Sequence, residues 1–155
     1  MKVQRALISV FNKSGVESFA KGLTDIGVTL ISTGGTAKLL KDSGIPVTLV
    51  EEVTGFPEML DGRVKTMHPK LMAGILARRA LPESMETFAK HDIEPIDMVV
   101  CSLCPFEEVA GRCSVEEEAV IETIDIGGPS MIRAAAKNHA GVAAQTTAGS
   151  GDCAS

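Results

Sequence analysis

Short β-branched runs alternate with amphipathic helical patterns along the chain, and this rhythm limits the fold more than any other feature. Parallel strands need a crossover of a dozen residues or more between them, usually a helix, so such alternation predicts βαβ units around a parallel sheet. Residues 6–10 (ALISV) read as the first strand. Val16, Phe19, Ala20, Leu23 and Ile26 then recur at helical spacing, with Ser14 and Glu17 as a capping box and Gly27 as the C-terminal stop. Residues 28–32 give a second strand, 36–43 a short helix ended by Gly44, 47–50 a third strand and 98–103 a fourth. Helical patterns also cover 71–79, 83–90, 115–122 and 129–138. The expected fold class is α/β. Residues 51–70 break the rhythm with Gly, Pro and charge, which predicts a long loop, and loops of that length inside compact domains are usually functional. There is no linker, low-complexity segment or further internal repeat.

Composition narrows the function. A length of 155 residues, 45% hydrophobic and 23% charged, suits one globular domain with a real core and leaves no room for a two-domain enzyme. No apolar run approaches the roughly 18 residues that span a bilayer, and MKVQRALISVF has no signal-peptide apolar region, so the chain reads as soluble and cytoplasmic, with no membrane partner. Fifteen Lys and Arg against 20 Asp and Glu, with no Trp or Tyr, argue against nucleic acid as a partner. Cys101, Cys104, Cys113 and Cys153 are too few and too irregular for a disulfide framework. The lone C-x-x-C of Cys101 and Cys104 lacks the second pair of a zinc ribbon and reads as small, half-buried hydrophobes.

Four places carry chemistry. In Ser32-Thr33-Gly34-Gly35-Thr36 a strand runs through two glycines into a helix, so free backbone N–H groups and the helix dipole face the sheet's carboxyl edge, where phosphate is the natural ligand. Ser9 to Lys13, after the first strand, opens at the same edge. The loop GRVKTMHPK concentrates Arg63, Lys65, Thr66 and Lys70, as a small anionic ligand would require. Asp125-Ile126-Gly127-Gly128-Pro129 puts Asp125 ahead of a helix start, with Pro129 suited to the first helical position; Asp125 could equally just cap that helix. On that helix Ser130, Arg133 and Lys137 share one face, an arrangement that an ordinary solvated surface would also show. His91 and His139 read as surface residues.

SVFNKSG, ISTGGTAKLL, VTGFPEMLDGRVKTMHPK, GILARR, SLCPFEE and IDIGGPSMIRAAAKNH, in this order and at these separations, resemble the inosine monophosphate (IMP) cyclohydrolase domain of the PurH family over about residues 5–142. The resemblance implies a methylglyoxal-synthase-like, three-layer domain over 1–142 with a mostly parallel central sheet, and a divergent tail over 143–155. It implies closure of 5-formamidoimidazole-4-carboxamide ribotide to inosine monophosphate, without metal or cofactor. The formyl-transfer activity of the family belongs to a larger C-terminal domain. By the same resemblance Ser9, Lys13, Ser32, Thr33, Gly34, Gly35, Thr36, Arg63, Thr66 and Gly127 fall on substrate-binding positions, and Lys65, Asp125 and Lys137 on catalytic ones. The implied partner is a purine nucleotide, with room for a homodimer and for a separate transformylase.

The sequence also departs from that family. Cys104 stands where the family has a catalytic tyrosine, Asn12 precedes Lys13 in place of serine or aspartate, Met72 replaces a common histidine, and Thr123 replaces an asparagine. Two functional classes follow: a cyclohydrolase of reduced activity, or a non-catalytic nucleotide- or phosphate-binding module like the regulatory domains of this fold in carbamoyl-phosphate synthetases.

Overall fold

In the computed structural model, which describes residues 2–112 and 115–146, five strands form one sheet in the order β3-β2-β1-β4-β5, every neighbouring pair parallel. The strands are β1 (Arg5–Val10), β2 (Thr29–Ser32), β3 (Thr48–Leu49), β4 (Met98–Ser102) and β5 (Ala143–Gln145). Between them run α1 (Val16–Asp25), α2 (Gly34–Asp42), α3 (Val50–Thr54), α4 (Pro69–Leu76), α5 (Pro82–His91), α6 (Phe106–Ala110), α7 (Glu117–Glu122) and α8 (Gly127–Lys137).

The two-residue period of the strands makes three layers. Ala6, Ile8 and Val10 of β1 point to one face, where Leu30 and Val100 join Val16 and Ala20 of α1 and Leu40 of α2. Leu7, Ile31, Val99 and Cys101 point to the other, against Leu71 and Ile75 of α4 and Met131, Ala134 and Ala135 of α8. A strand buried on both faces reads as a continuous apolar run, which is why ALISV and MVVC stand out in the sequence. The α/β, three-layer expectation holds, with the sheet wholly parallel among the described residues.

The amino edge is fastened by two buried polar side chains. The Asp97 carboxylate accepts the N–H groups of Gln4 and Arg5 at 2.7 and 2.8 Å and pairs with Arg79, whose other terminal nitrogen donates to the Ile96 carbonyl at 2.7 Å. Asn138, just past α8, donates to the carbonyls of Ile75 and Ala77 and ties the ends of α8 and α4 together.

The structure departs from the sequence expectations at several places. There is no capping box on α1: Gly15, at φ 75°, is the cap, Ser14 N–H donates to Asn12 Oδ1, and Glu17 accepts from the distant Ser43 hydroxyl. The third strand is only Thr48–Leu49, because Val50 already starts α3, so a helix occupies the first part of the expected 51–70 loop. A five-residue helix is too short to show a period, and α6 was missed for the same reason. Pro129 sits at the third position of α8 rather than the first, a place where no intrahelical hydrogen bond is lost either. Residues 143–145, expected in the divergent tail, pair with Met98, Val99 and Val100 as β5. The rest of that tail, 147–155, together with Cys113 and Cys153, lies outside the described residues.

Candidate functional site

Because all five strands run the same way, the carboxyl ends of β1, β2 and β4 and the N-termini of α2 and α8 converge at one edge. A cavity of about 600 Å³ opens there. Of the expected site residues, Ser9, Thr33, Arg63, Lys65, Thr66, Cys104, Asp125 and Gly127 line it.

The N-terminus of α2 is the anion-seeking wall. Thr33 is its N-cap in extended conformation, and its hydroxyl is buried without a hydrogen-bond partner. Buried hydroxyls are nearly always paired, so a lone one in a cavity wall points to something that binds there. Gly34 has φ +55°, a left-handed backbone that favours glycine, and a Cβ there would stand 3.1 Å from Lys65 Nζ. A Cβ on Gly35 would stand 3.7 Å from Lys13 Nζ. Two ammonium groups thus flank a helix N-terminus whose dipole already favours negative charge.

The loop after α3 supplies the opposite wall. Met59 and Val64 form an antiparallel bridge, and the turn between them holds Leu60, Asp61 and Gly62 at φ 53°, 52° and 88°. Two consecutive non-glycine residues in the left-handed region are strained, a device that recurs where a loop must aim side chains at a ligand. Lys65 Nζ lies 2.5 Å from Glu58 Oε2, and Arg63 pairs with Glu122 at the end of α7. The hydrogen bond and opposite charge of each partner hold Glu122 below the usual carboxylate range and raise the Arg63 guanidinium further.

The third wall is the start of α8. Asp125 Oδ1 accepts the Gly128 N–H at 2.8 Å, so Asp125 does cap the helix while also lining the cavity. The glycine pair that follows is there for space: a Cβ on Gly127 would meet Thr66 Oγ1 at 2.5 Å, and one on Gly128 would meet Leu103 Cδ2 at 2.5 Å. Cys104 follows the end of β4. Burial first and the Asp125 charge second push its thiol above the ordinary range, with Lys13 pulling the other way. Cys101, in the core below, is pushed up to about 11 by burial and then Asp125. Both thiols are therefore neutral at pH 7 and neither is an activated nucleophile.

Other expected residues lie elsewhere. Ser32 and Thr36 are buried, and their hydroxyls donate to the carbonyls of Ile8 and Val10 at 2.6 and 3.0 Å; they brace β1, β2 and α2 rather than face the cavity. Lys137 is exposed on the last turn of α8, about 15 Å along the helix from Gly127 at 1.5 Å per residue, and does not line the cavity. Sequence reasoning missed Glu58 and Glu122. Nothing local signals Glu122, which pairs with Arg63 across 59 residues, whereas Glu58 lies seven residues before Lys65 in the same charged loop.

A parallel sheet carrying helix N-termini and glycine turns around a cavity at its carboxyl edge defines an α/β domain of the open-sheet class. The chain belongs to the MGS-like domain family, whose model matches residues 15–130. It is also 58% identical, over 140 residues, to the bifunctional purine biosynthesis protein PurH of Listeria welshimeri serovar 6b, a match covering 90% of this chain and 28% of that protein. The chain thus spans little more than a quarter of that relative. Among solved structures it is similar to the crystal structure of ForH, with a TM-score of 0.78 and 33% identity, covering 93% of this chain and 74% of the other. Among the described residues no helix is long and apolar enough to cross a membrane.

Proposed function

We propose that this domain serves purine biosynthesis as an IMP cyclohydrolase, closing the ring of 5-formamidoimidazole-4-carboxamide ribotide to give inosine monophosphate and water. The observation that carries the reading is the unpartnered Thr33 hydroxyl at the N-terminus of α2, flanked by Lys13 and Lys65, in one cavity with Asp125. The similarity to PurH supplies the substrate class. In this reading the ribotide phosphate sits on α2, and Arg63 and Thr66 contact the rest of the nucleotide. Ring closure needs the carboxamide nitrogen to attack the formyl carbon; that nitrogen loses one proton and the formyl oxygen gains one to become a hydroxyl. The hydroxyl then leaves as water together with the proton of the former formamide nitrogen as the ring carbon–nitrogen double bond forms. Asp125, fixed by the Gly128 N–H, orients the amide and takes its proton, while Lys65 stabilises the developing oxyanion. Lys137, also expected to be catalytic, is assigned no step, since it stands away from the cavity. The reading takes a purine nucleotide as partner, needs no cofactor and fits a cytoplasmic enzyme; a homodimer and a separate transformylase remain expectations of the same resemblance.

One observation favours the second reading, a non-catalytic nucleotide-binding module: a cysteine, a weak and short donor, lines the cavity where the resemblance calls for a tyrosine. Ultraviolet absorbance of purified protein mixed with the formamido ribotide separates the two. Formation of inosine monophosphate is the expected outcome. Nucleotide binding without turnover would favour the module, and neither would reject both.

A further inference from the structure

Beside the candidate site lies a second hollow of about 720 Å³, walled by Leu60, Asp61, Glu116, Glu118 and Ala119. Arg63 and Glu122 face both spaces, so their ion pair stands on the boundary between them. We propose that the Arg63–Glu122 pair is a latch at the candidate site: the Glu122 carboxylate and a nucleotide anion compete for Arg63, and a bound nucleotide takes Arg63 over and releases α7. The proposal rests on the reading of the cavity as a nucleotide site.

Three features support it. First, both cations of the loop are paired with carboxylates, Arg63 with Glu122 and Lys65 with Glu58, so an anion entering this wall competes with them. Second, α7 has no buried residue, so no fully buried side chain anchors its last turn to the loop. Third, the two side chains are 64% and 49% exposed. Exposed ion pairs contribute little, so this one closes the site weakly enough for a ligand to open it. A buried pair would lock it.

Calorimetric titration with inosine monophosphate tests the latch, using the parent protein, Glu122→Gln, Glu118→Gln, Arg63→Met and the Arg63→Met/Glu122→Gln double variant. Glu122→Gln should tighten binding by about two- to fivefold, the scale of one exposed pair. Glu118→Gln removes an equal charge from the second hollow without breaking the pair, and should gain clearly less. In the Arg63→Met background the Glu122 substitution should gain nothing. The Glu122→Gln advantage should also fade near 1 M salt, where the screening length falls to about 3 Å. Equal gains from the two glutamates, or a gain that survives Arg63→Met, would overturn the latch while leaving the nucleotide site standing. If neither the parent nor Glu122→Gln binds the nucleotide, the functional reading itself fails. Amide hydrogen exchange over residues 59–67 of the ligand-free proteins checks the pair independently of binding: faster exchange in Glu122→Gln than in Glu118→Gln is expected, and equal rates overturn the latch even where the nucleotide binds.

Discussion

At the amino edge of the sheet, Asp97 is buried and its carboxylate takes two backbone N–H groups and an arginine, while Asn138 bridges α4 and α8; of the side-chain donors there, only Arg79 Nε is left over among the described residues. At the carboxyl edge the Thr33 hydroxyl is buried with no partner, Leu60 and Asp61 are strained, and the cations face the cavity through exposed or half-exposed ion pairs. One set of strands thus ends in a buried, cross-linked polar network on one side and in an open cavity lined by ion-paired cations on the other. In the proposed reading, stability is concentrated at the first edge and ligand binding at the second, as expected when functional groups must stay available and carry strain that the rest of the fold offsets.

Four substitutions test this division, in falling order of expected effect. Asp97→Ala should strike the amino edge hardest, because it leaves Arg79 and two backbone N–H groups without their acceptor. A loss of about 3 kcal/mol is expected, lowering the melting temperature by roughly 6–12 °C, with nucleotide affinity of the folded protein unchanged. A melting temperature within a degree of the parent would mean that Asp97 is not the fastening it looks to be.

Lys65→Met should behave in the opposite way. Turnover should fall by roughly a hundredfold or more, the usual loss on deleting an oxyanion donor, with thermal stability close to the parent's. Parent-like turnover would remove Lys65 from the chemistry.

Cys104→Tyr sharpens the comparison by completing the carboxyl edge. A phenol at this point restores a positioned donor, and a gain in steady-state turnover of about ten- to a hundredfold is expected. If the native protein already turns over as fast as the variant, the phenol is dispensable here.

Gly34→Val should weaken inosine monophosphate binding by at least about tenfold, 1.4 kcal/mol, since a branched side chain both strains φ +55° and pushes Lys65 aside. Gly35 has no such backbone demand and touches only the flexible end of Lys13, so Gly35→Ala is the control. Calorimetry showing equal affinities for both variants would sink the assignment of the α2 turn.

Much of the frame was legible in the chain. The four strands expected from the apolar runs are all present, α1 and α2 end at Gly27 and Gly44 as foreseen, and the glycine turn and basic loop do meet at one edge. What was illegible falls into two kinds. Helices of five residues, α3 and α6, show no period, and the three-residue β5 carries too little pattern to be told from a tail. The other kind is pairing at a distance, as with Asp97 and Arg79, Arg63 and Glu122, or Glu17, which accepts from the Ser43 hydroxyl instead of capping α1.

Sequence by itself determined the order of elements, the two-faced core and the residue types gathered at the carboxyl edge, because apolar period and turn chemistry are written locally and a parallel sheet sends every strand to the same side. Only the tertiary structure decided which of those residues share a cavity. It set Ser32 and Thr36 to bracing backbone, left Lys137 at the far end of α8, and brought Glu58 and Glu122 onto the cations. A charged side chain carries no mark of its partner. The partner is fixed by the fold of the loop, as for Glu58 and Lys65, or by crossovers that bring together residues dozens of positions apart, as for Arg63 and Glu122.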